Sequence, residues 1–387
     1  MKVKPADRTN SVQEYYFSRK LRQIDQLRAS GADVINLGIG SPDQPPSENT
    51  IRRLSSEASK SGVHGYQSYI GNPALRKAFS DWYLKYFRVK LDPENEILPL
   101  MGSKEGIMHI SMAFVNPGDE VLIPNPGYPT YSSVTNLVGG KIRYYDLDEK
   151  NGWLPDIEGI EESGLGKVKL MWLNYPHMPT GTKGSADLFN KVVSFAVRNN
   201  ILLCNDNPYS FILNSEYNSL LAADGAMETA LELNSLSKSH NMAGWRIGMV
   251  AGNSEYISNI LRVKSNMDSG IFLPMQMAAV EALNNPESWY DTVNKVYKER
   301  RQSAESIMEI LKCRFNHDQT GLFVWGRLQD EIESCEAFIE EILIKAHVFL
   351  TPGFIFGSMG ERYIRISLCA SNERLKEAGE RIVKLKL

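Results

Sequence analysis

Chemistry is most concentrated in Ser235-Leu-Ser-Lys238-Ser-His-Asn-Met-Ala-Gly-Trp-Arg246-Ile-Gly248, where a lysine stands among hydroxyls and an arginine follows one short loop later. Thr229-Ala-Leu-Glu-Leu-Asn234 just before it reads as a strand, so Lys238 falls where a sheet ends. Open α/β folds bind their ligands there. A lysine amine so placed can form a Schiff base with a carbonyl, and Ser235 with Arg246 can hold a phosphate, the arginine through a two-pronged grip. Together these groups suit a phosphorylated aldehyde. Ser235-Leu-Ser-Lys238 also satisfies the Ser-x-x-Lys pattern of penicillin-binding enzymes, but their Ser-Asp-Asn and Lys-Thr-Gly partners are missing from the chain. Gly38-Ile-Gly40-Ser-Pro-Asp43 is not a dinucleotide fingerprint, because Asp43 stands where a third glycine is required and no strand-to-helix unit follows. The six histidines are dispersed, and no His-Glu-x-x-His occurs, so no metal site is expected.

The elements that must position these groups alternate through the middle of the chain. Short apolar runs predict strands at 120–124, 168–173, 201–204, 229–234 and 249–251, with another around Ile97. Between them, residues 187–198 carry Leu188, Val192, Val193 and Ala196 on one helical stripe. This pattern predicts an α/β fold: a mostly parallel sheet wrapped by helices over about residues 45–280. The ends read differently. Helices are expected over 13–30, closed by Gly31, and over 286–312, which has no internal Gly or Pro. Short strands at 321–325 and 363–367 flank a helix that includes Phe338, Ile339, Ile342 and Leu343.

The lysine segment resembles the signature of the pyridoxal-phosphate enzymes of the aspartate aminotransferase fold type, in the class I/II aminotransferase family, with matching positions from about Asn36 to about Arg365. The resemblance implies a large cofactor-binding domain, 45–280, and a smaller α/β domain from 1–44 and 281–387. It implies pyridoxal 5'-phosphate held by Lys238. Asp206, in Cys-Asn-Asp206-Asn-Pro-Tyr209, would hold the pyridine nitrogen protonated and make the ring an electron sink, while Tyr209 touches the ring hydroxyl. Met101-Gly-Ser103-Lys104-Glu-Gly-Ile107 opens a helix, whose N-terminal amides suit a phosphate. Tyr128, in Asn-Pro-Gly-Tyr128-Pro, would stack on the ring; Arg365 and the turn at Gly40 would grip the substrate α-carboxylate; Tyr66 would reach a partner subunit's phosphate, making a homodimer. One position departs from the pattern. In Asn174-Tyr-Pro-His-Met178-Pro-Thr-Gly181, Asn174 is kept but Met178 replaces an asparagine that donates to the ring oxygen, and a thioether has no donor.

The activity so implied is amino transfer between an α-amino acid and a 2-oxo acid, with Lys238 as anchor and general acid/base. A carbon–sulfur β-lyase would use the same residues, and a non-catalytic cofactor-binding regulator is a third possibility disfavoured by the presence of Lys238, Asp206 and Arg365. Hydrophobic content of 42% and charged content of 23% are ordinary for a soluble globular protein. The 387 residues suit a large domain with a companion, and a net charge of -3 leaves no basic footprint for nucleic acid. No apolar stretch approaches the ~20 residues of a membrane span, and no apolar run follows the charged N-terminus, so neither membrane insertion nor secretion is expected. Four scattered cysteines without a C-x-x-C pair read as reduced thiols in a cytoplasmic protein.

Overall fold

The computed structural model describes residues 3–12, 14 and 16–385. Seven strands form the main sheet: β1 Ile97–Leu100, β2 Glu120–Asn125, β3 Lys141–Asp146, β4 Val168–Leu173, β5 Leu202–Asp206, β6 Ala230–Ser235 and β7 Gly248–Gly252. Their spatial order is β1-β7-β6-β5-β4-β2-β3. All run parallel except β7, which is antiparallel to both its neighbours.

The expected strands are all present. β3 has no counterpart among them, because it lies at the sheet edge, leaves Tyr144 exposed and buries only Tyr145, so its sequence shows no apolar run. The central strands bury both faces, as a sheet covered by helices must. In β4, Leu170 and Trp172 point into the core beneath the helices Ser103–Phe114, Pro129–Leu137 and Ser254–Lys264. Met171 and Leu173 alternate to the opposite core, beneath Pro73–Phe87, Ala186–Asn199 and Leu273–Leu283.

The chain ends build another core. Its sheet is antiparallel, with β8 Arg314–Phe315, β9 Phe323–Arg327, β10 Thr351–Pro352 and β11 Tyr363–Ser367 in the order β10-β11-β9-β8. The expected N-terminal helix is Tyr16–Ala29, residues 13 and 15 of the predicted span lying outside the described ones, and the long helix is Glu287–Ile310. Ile24, Val34 and Leu37 join Tyr297, Ile339, Val348 and Ile364 in this core. Met178 and Tyr209, from the middle of the chain, belong to it too, so the two halves meet where the chemistry-bearing residues lie.

Candidate active site

Strand direction explains the site. β1, β2, β4, β5 and β6 all finish at one edge of the sheet, and the turns that follow deliver Ser103, Tyr128, Asn174, Asp206 and Lys238 there. β7 runs the other way, so its beginning lies at the same edge, and Arg246 stands two residues before it. A cavity of about 360 Å³ opens at this edge, lined by every expected site residue except Tyr66: Gly40, Ser103, Lys104, Tyr128, Asn174, Asp206, Tyr209, Ser235, Lys238, Arg246 and Arg365. Tyr66 does not line it. That residue is 94% exposed in the single chain, on a surface hollow with His64 and Phe272.

Lys238 rides on the short helix Leu236–Ser239, capped by the Ser235 hydroxyl, which accepts from the Ser237 amide at 3.1 Å. Its ammonium donates to the Gly40 carbonyl. Burial pushes the Lys238 pKa below the usual lysine range, with Arg365 and Arg246 adding to the effect and Cys369 and Asp206 opposing it. A lowered pKa leaves more neutral amine, which is the nucleophile.

Asp206 ends β5 with its carboxyl buried. Tyr131 donates to its Oδ2 at 3.2 Å, while Oδ1 has no hydrogen-bond partner among the described residues. Burial drives its pKa up to about 7, against the lowering effect of Tyr131, Ser103 and Lys238, and buried Glu232 pushes it further up. An acid in this state fits a protonated ring nitrogen. A pyridinium donor would satisfy Oδ1 and restore the carboxylate by direct charge pairing.

The candidate phosphate site is equally specific. The helix Ser103–Phe114 begins at Gly102, which supplies no capping side chain, so its first amides face outward from a positive helix end. Gly102 has φ +89°, a backbone conformation that favours glycine, and a Cβ there would fall 2.3 Å from Arg246 Nη2, so a larger residue would also displace the arginine. Arg246 donates to the carbonyls of Ala243 at 2.9 Å and Met101 at 3.3 Å and reaches Ser237 Oγ at 3.5 Å. The residues present therefore fit pyridoxal phosphate: an amine, an acid for the ring nitrogen, and a helix end with an arginine for the phosphate.

Arg365 projects from β11 and is buried. Nη2 donates to the Gly38 carbonyl at 2.8 Å and Nη1 to the Met178 sulfur at 3.2 Å; Nε has no hydrogen-bond partner among the described residues. Met178 thus contacts Arg365, the arginine expected to take the substrate carboxylate, directly. Asn174 fixes the turn that holds Met178, accepting from its amide at 3.0 Å and donating to the Asp206 carbonyl. An asparagine amide has two hydrogens, so one remains for a ligand. The Gly40 carbonyl receives Lys238, and a Cβ at Gly40 would fall 2.3 Å from the Phe323 ring.

Sequence reading missed several lining residues. Tyr131 stacks on Trp172 at 5.0 Å and 7° while holding Asp206. Its spacing of three from Tyr128, at the start of one helix, is the signal that could have found it. Ser237, Phe17, Phe323 and Phe356 also line the cavity, and the aromatic three carry no signal that separates them from core residues. Away from the cavity, Glu105, His109 and Asp268 bring donor atoms within 4.8 Å of one another, but Lys264 lies 2.9 Å from Asp268 and already supplies positive charge.

The description "Aminotransferase class I and II" names the family whose model matches residues 32–382, which carry all of this geometry except Phe17. The chain belongs to that family. Class I and II aminotransferases use pyridoxal phosphate, and this one is a pyridoxal-phosphate-dependent aminotransferase acting on small amino and oxo acids. It is 41% identical over 382 residues to LL-diaminopimelate aminotransferase of Natranaerobius thermophilus, which covers 98% of this chain and 99% of that one. Substrate-bound BacF from Bacillus subtilis superposes with a TM-score of 0.95 at 33% identity, covering 100% of this aminotransferase and 98% of BacF. A single mutant of Thermus thermophilus aspartate aminotransferase shares the fold, with a TM-score of 0.92 at 24% identity over 99% of this chain and 100% of that one.

Proposed function

We propose that Lys238 holds the cofactor covalently and moves the α-proton during amino transfer from an α-amino acid to a 2-oxo acid. The observation that carries this reading is the convergence of Lys238, Asp206, Arg246 and Arg365 on one cavity from four separate segments. When bound, pyridoxal phosphate supplies an electron-withdrawing ring that accepts the electron pair left when the Cα–H bond breaks. Asp206 would accept a hydrogen bond from the ring nitrogen through Oδ1, and Tyr209 would address the ring hydroxyl. Ser103, Lys104, Ser235 and Arg246 would hold the phosphate, Tyr128 would cover the ring face, and Asn174 would offer its spare amide hydrogen. Arg365 would grip the substrate carboxylate, and Lys238 Nζ, released when the substrate amine displaces it, would take the proton from Cα.

The division into 45–280 and a smaller unit from 1–44 and 281–387 belongs to this reading, and the separate apolar core built mainly by the chain ends supports it. So does a homodimer: an exposed Tyr66 is suited to reach a partner's phosphate. All four cysteines are free, which suits a reducing cytoplasm, and no helix among the described residues is long and apolar enough to cross a membrane.

Conversion of the cofactor's absorbance to the pyridoxamine form by amino donors, reversed by 2-oxo acids, tests the proposal. Pyruvate released from cysteine or cystathionine without that reversible conversion would point to carbon–sulfur lysis instead. Arg365→Ala should raise KM for amino donors about 10²-fold, as expected for losing a charge-assisted grip, while the cofactor spectrum persists. Unchanged KM, or loss of cofactor, would count against a carboxylate role. Met178→Asn should place an amide donor near the ring oxygen, stabilise its anionic form and shift the cofactor's absorbance titration to lower pH. An unchanged or raised midpoint would show that another group already serves that oxygen.

A further inference from the structure

We infer that Glu232 is a positioning residue for Asp206: its buried carboxylate holds the residues on both sides of that acid, and its negative charge, paired with no cation among the described residues, favours a protonated nitrogen on the cofactor ring. This rests on the proposed role of Asp206. Asn205 faces Glu232 across the β5–β6 ladder and donates to its Oε2 at 3.0 Å, and Asn207 donates to Oε1 at 3.5 Å. Alternation along β5 turns Asp206 to the opposite face of the sheet, where Tyr131 meets it. Glu232 therefore fixes, from the far side of the sheet, the backbone that carries the acid. Its Oε2 also accepts from the Leu220 amide at 2.9 Å, and Oε1 from the Ser219 and Tyr83 hydroxyls at 2.8 and 3.0 Å. Tyr83 in turn accepts from Asn234 at 3.3 Å, and the Asn234 side-chain carbonyl receives the Ser235 amide at 2.8 Å, so the same group steadies the strand end that leads to Lys238.

Each of these contacts is a donor aimed at the carboxylate. Oε2 faces two N–H groups, which cannot accept a proton in return, and Tyr83 is the one titratable group among the hydrogen-bond partners. Glu232 is 0% exposed, so solvent does not screen its charge. Burial raises its own pKa, while the hydrogen bonds from Asn205, Leu220, Ser219 and Tyr83 oppose that rise and favour the ionised form. In the apoprotein the charge on Glu232 makes Asp206 harder to ionise. A positive ring nitrogen beside Asp206 would be attracted by both carboxylates, so the repulsion that costs the apoprotein stability becomes an attraction for the protonated ring.

Glu232→Gln removes the charge and keeps the shape. An amide nitrogen in place of Oε1 meets two hydroxyls that can turn to accept, and the remaining carbonyl still receives Asn205 and Leu220, so only the long contact from Asn207 is lost. In the apoprotein, the Asp206 carboxyl carbon, identified by carbon-13 NMR through its loss in Asp206→Asn, should titrate about one pH unit lower in Glu232→Gln than in the parent. In the holoprotein, single-turnover conversion of the cofactor by an amino donor should slow about tenfold, the same shift expressed in the reaction. Should the glutamine chain fail to fold, Tyr83→Phe takes its place: one donor fewer favours the neutral Glu232 carboxyl, so the Asp206 midpoint should fall by a smaller step. An Asp206 midpoint that stays or rises, or an unchanged single-turnover rate, would overturn the inference. Nitrogen-15 NMR of labelled cofactor in the parent holoprotein separates the two readings. A ring nitrogen unprotonated at pH 7 would refute the role of Asp206 and this inference with it, whereas a protonated ring with an unmoved Asp206 midpoint would refute only the part played by Glu232.

Discussion

Lys238→Ala should abolish amino transfer, with kcat falling by at least about 10⁴-fold, while the protein stays folded and still takes up pyridoxal phosphate non-covalently. The loss is large because one side chain performs two tasks, covalent anchorage and proton movement at Cα. The fold should tolerate the change. Among the described residues Lys238 makes one hydrogen bond, to the Gly40 carbonyl, and its charge is disfavoured by burial, so truncation removes little that stabilises the chain. Circular dichroism and the melting temperature of the apoprotein check the fold, and single-turnover absorbance checks the chemistry. Turnover within tenfold of the parent would contradict the role.

Asp206→Asn should have opposite effects on activity and on apoprotein stability. Asparagine keeps the shape but cannot balance a protonated ring nitrogen, so kcat should fall by about 10³-fold or more. Stability follows from the pKa, which rises from 3.8 to about 7 on folding. Below about pH 4 the carboxyl is protonated in both states and contributes nothing to the pH dependence. As pH rises from about 4 to about 7 the unfolded chain gives up this proton and the folded chain keeps it, so stability drains away, reaching on the order of 4 kcal/mol above pH 7. The asparagine variant escapes that loss. Apo Asp206→Asn should therefore melt well above the parent at pH 8, with the gap closing toward pH 4; a gap that is absent or widens on acidification would contradict the buried, unpaired acid.

The legible parts of the site were those tied to strand ends. Lys238, Asp206, Asn174, Tyr128 and Ser103 each follow a short apolar run, and a parallel sheet brings all such ends to one edge. The direction of β7 was not legible, because a strand's sequence carries no sign of its orientation, yet it is this reversal that delivers Arg246. β3 escaped because an exposed edge strand loses the apolar pattern that marks its neighbours. Phe17 lies about 300 residues before Phe323 and Phe356, and all three share their type with ordinary core positions; only the packing of the two chain ends against the main sheet gathers them at Arg365. Met178 showed its departure from the family pattern in sequence, but its contact with Arg365 depends on the same packing.

Borohydride reduction of the holoprotein, followed by proteolysis and mass mapping of the modified peptide, tests the central assignment most directly. Reduction should fix the pyridoxyl group to the peptide bearing Lys238 and to no other lysine, and Lys238→Ala should abolish the fixation. A pyridoxyl group on Lys104, which lines the same cavity, or on any lysine outside it would contradict the assignment.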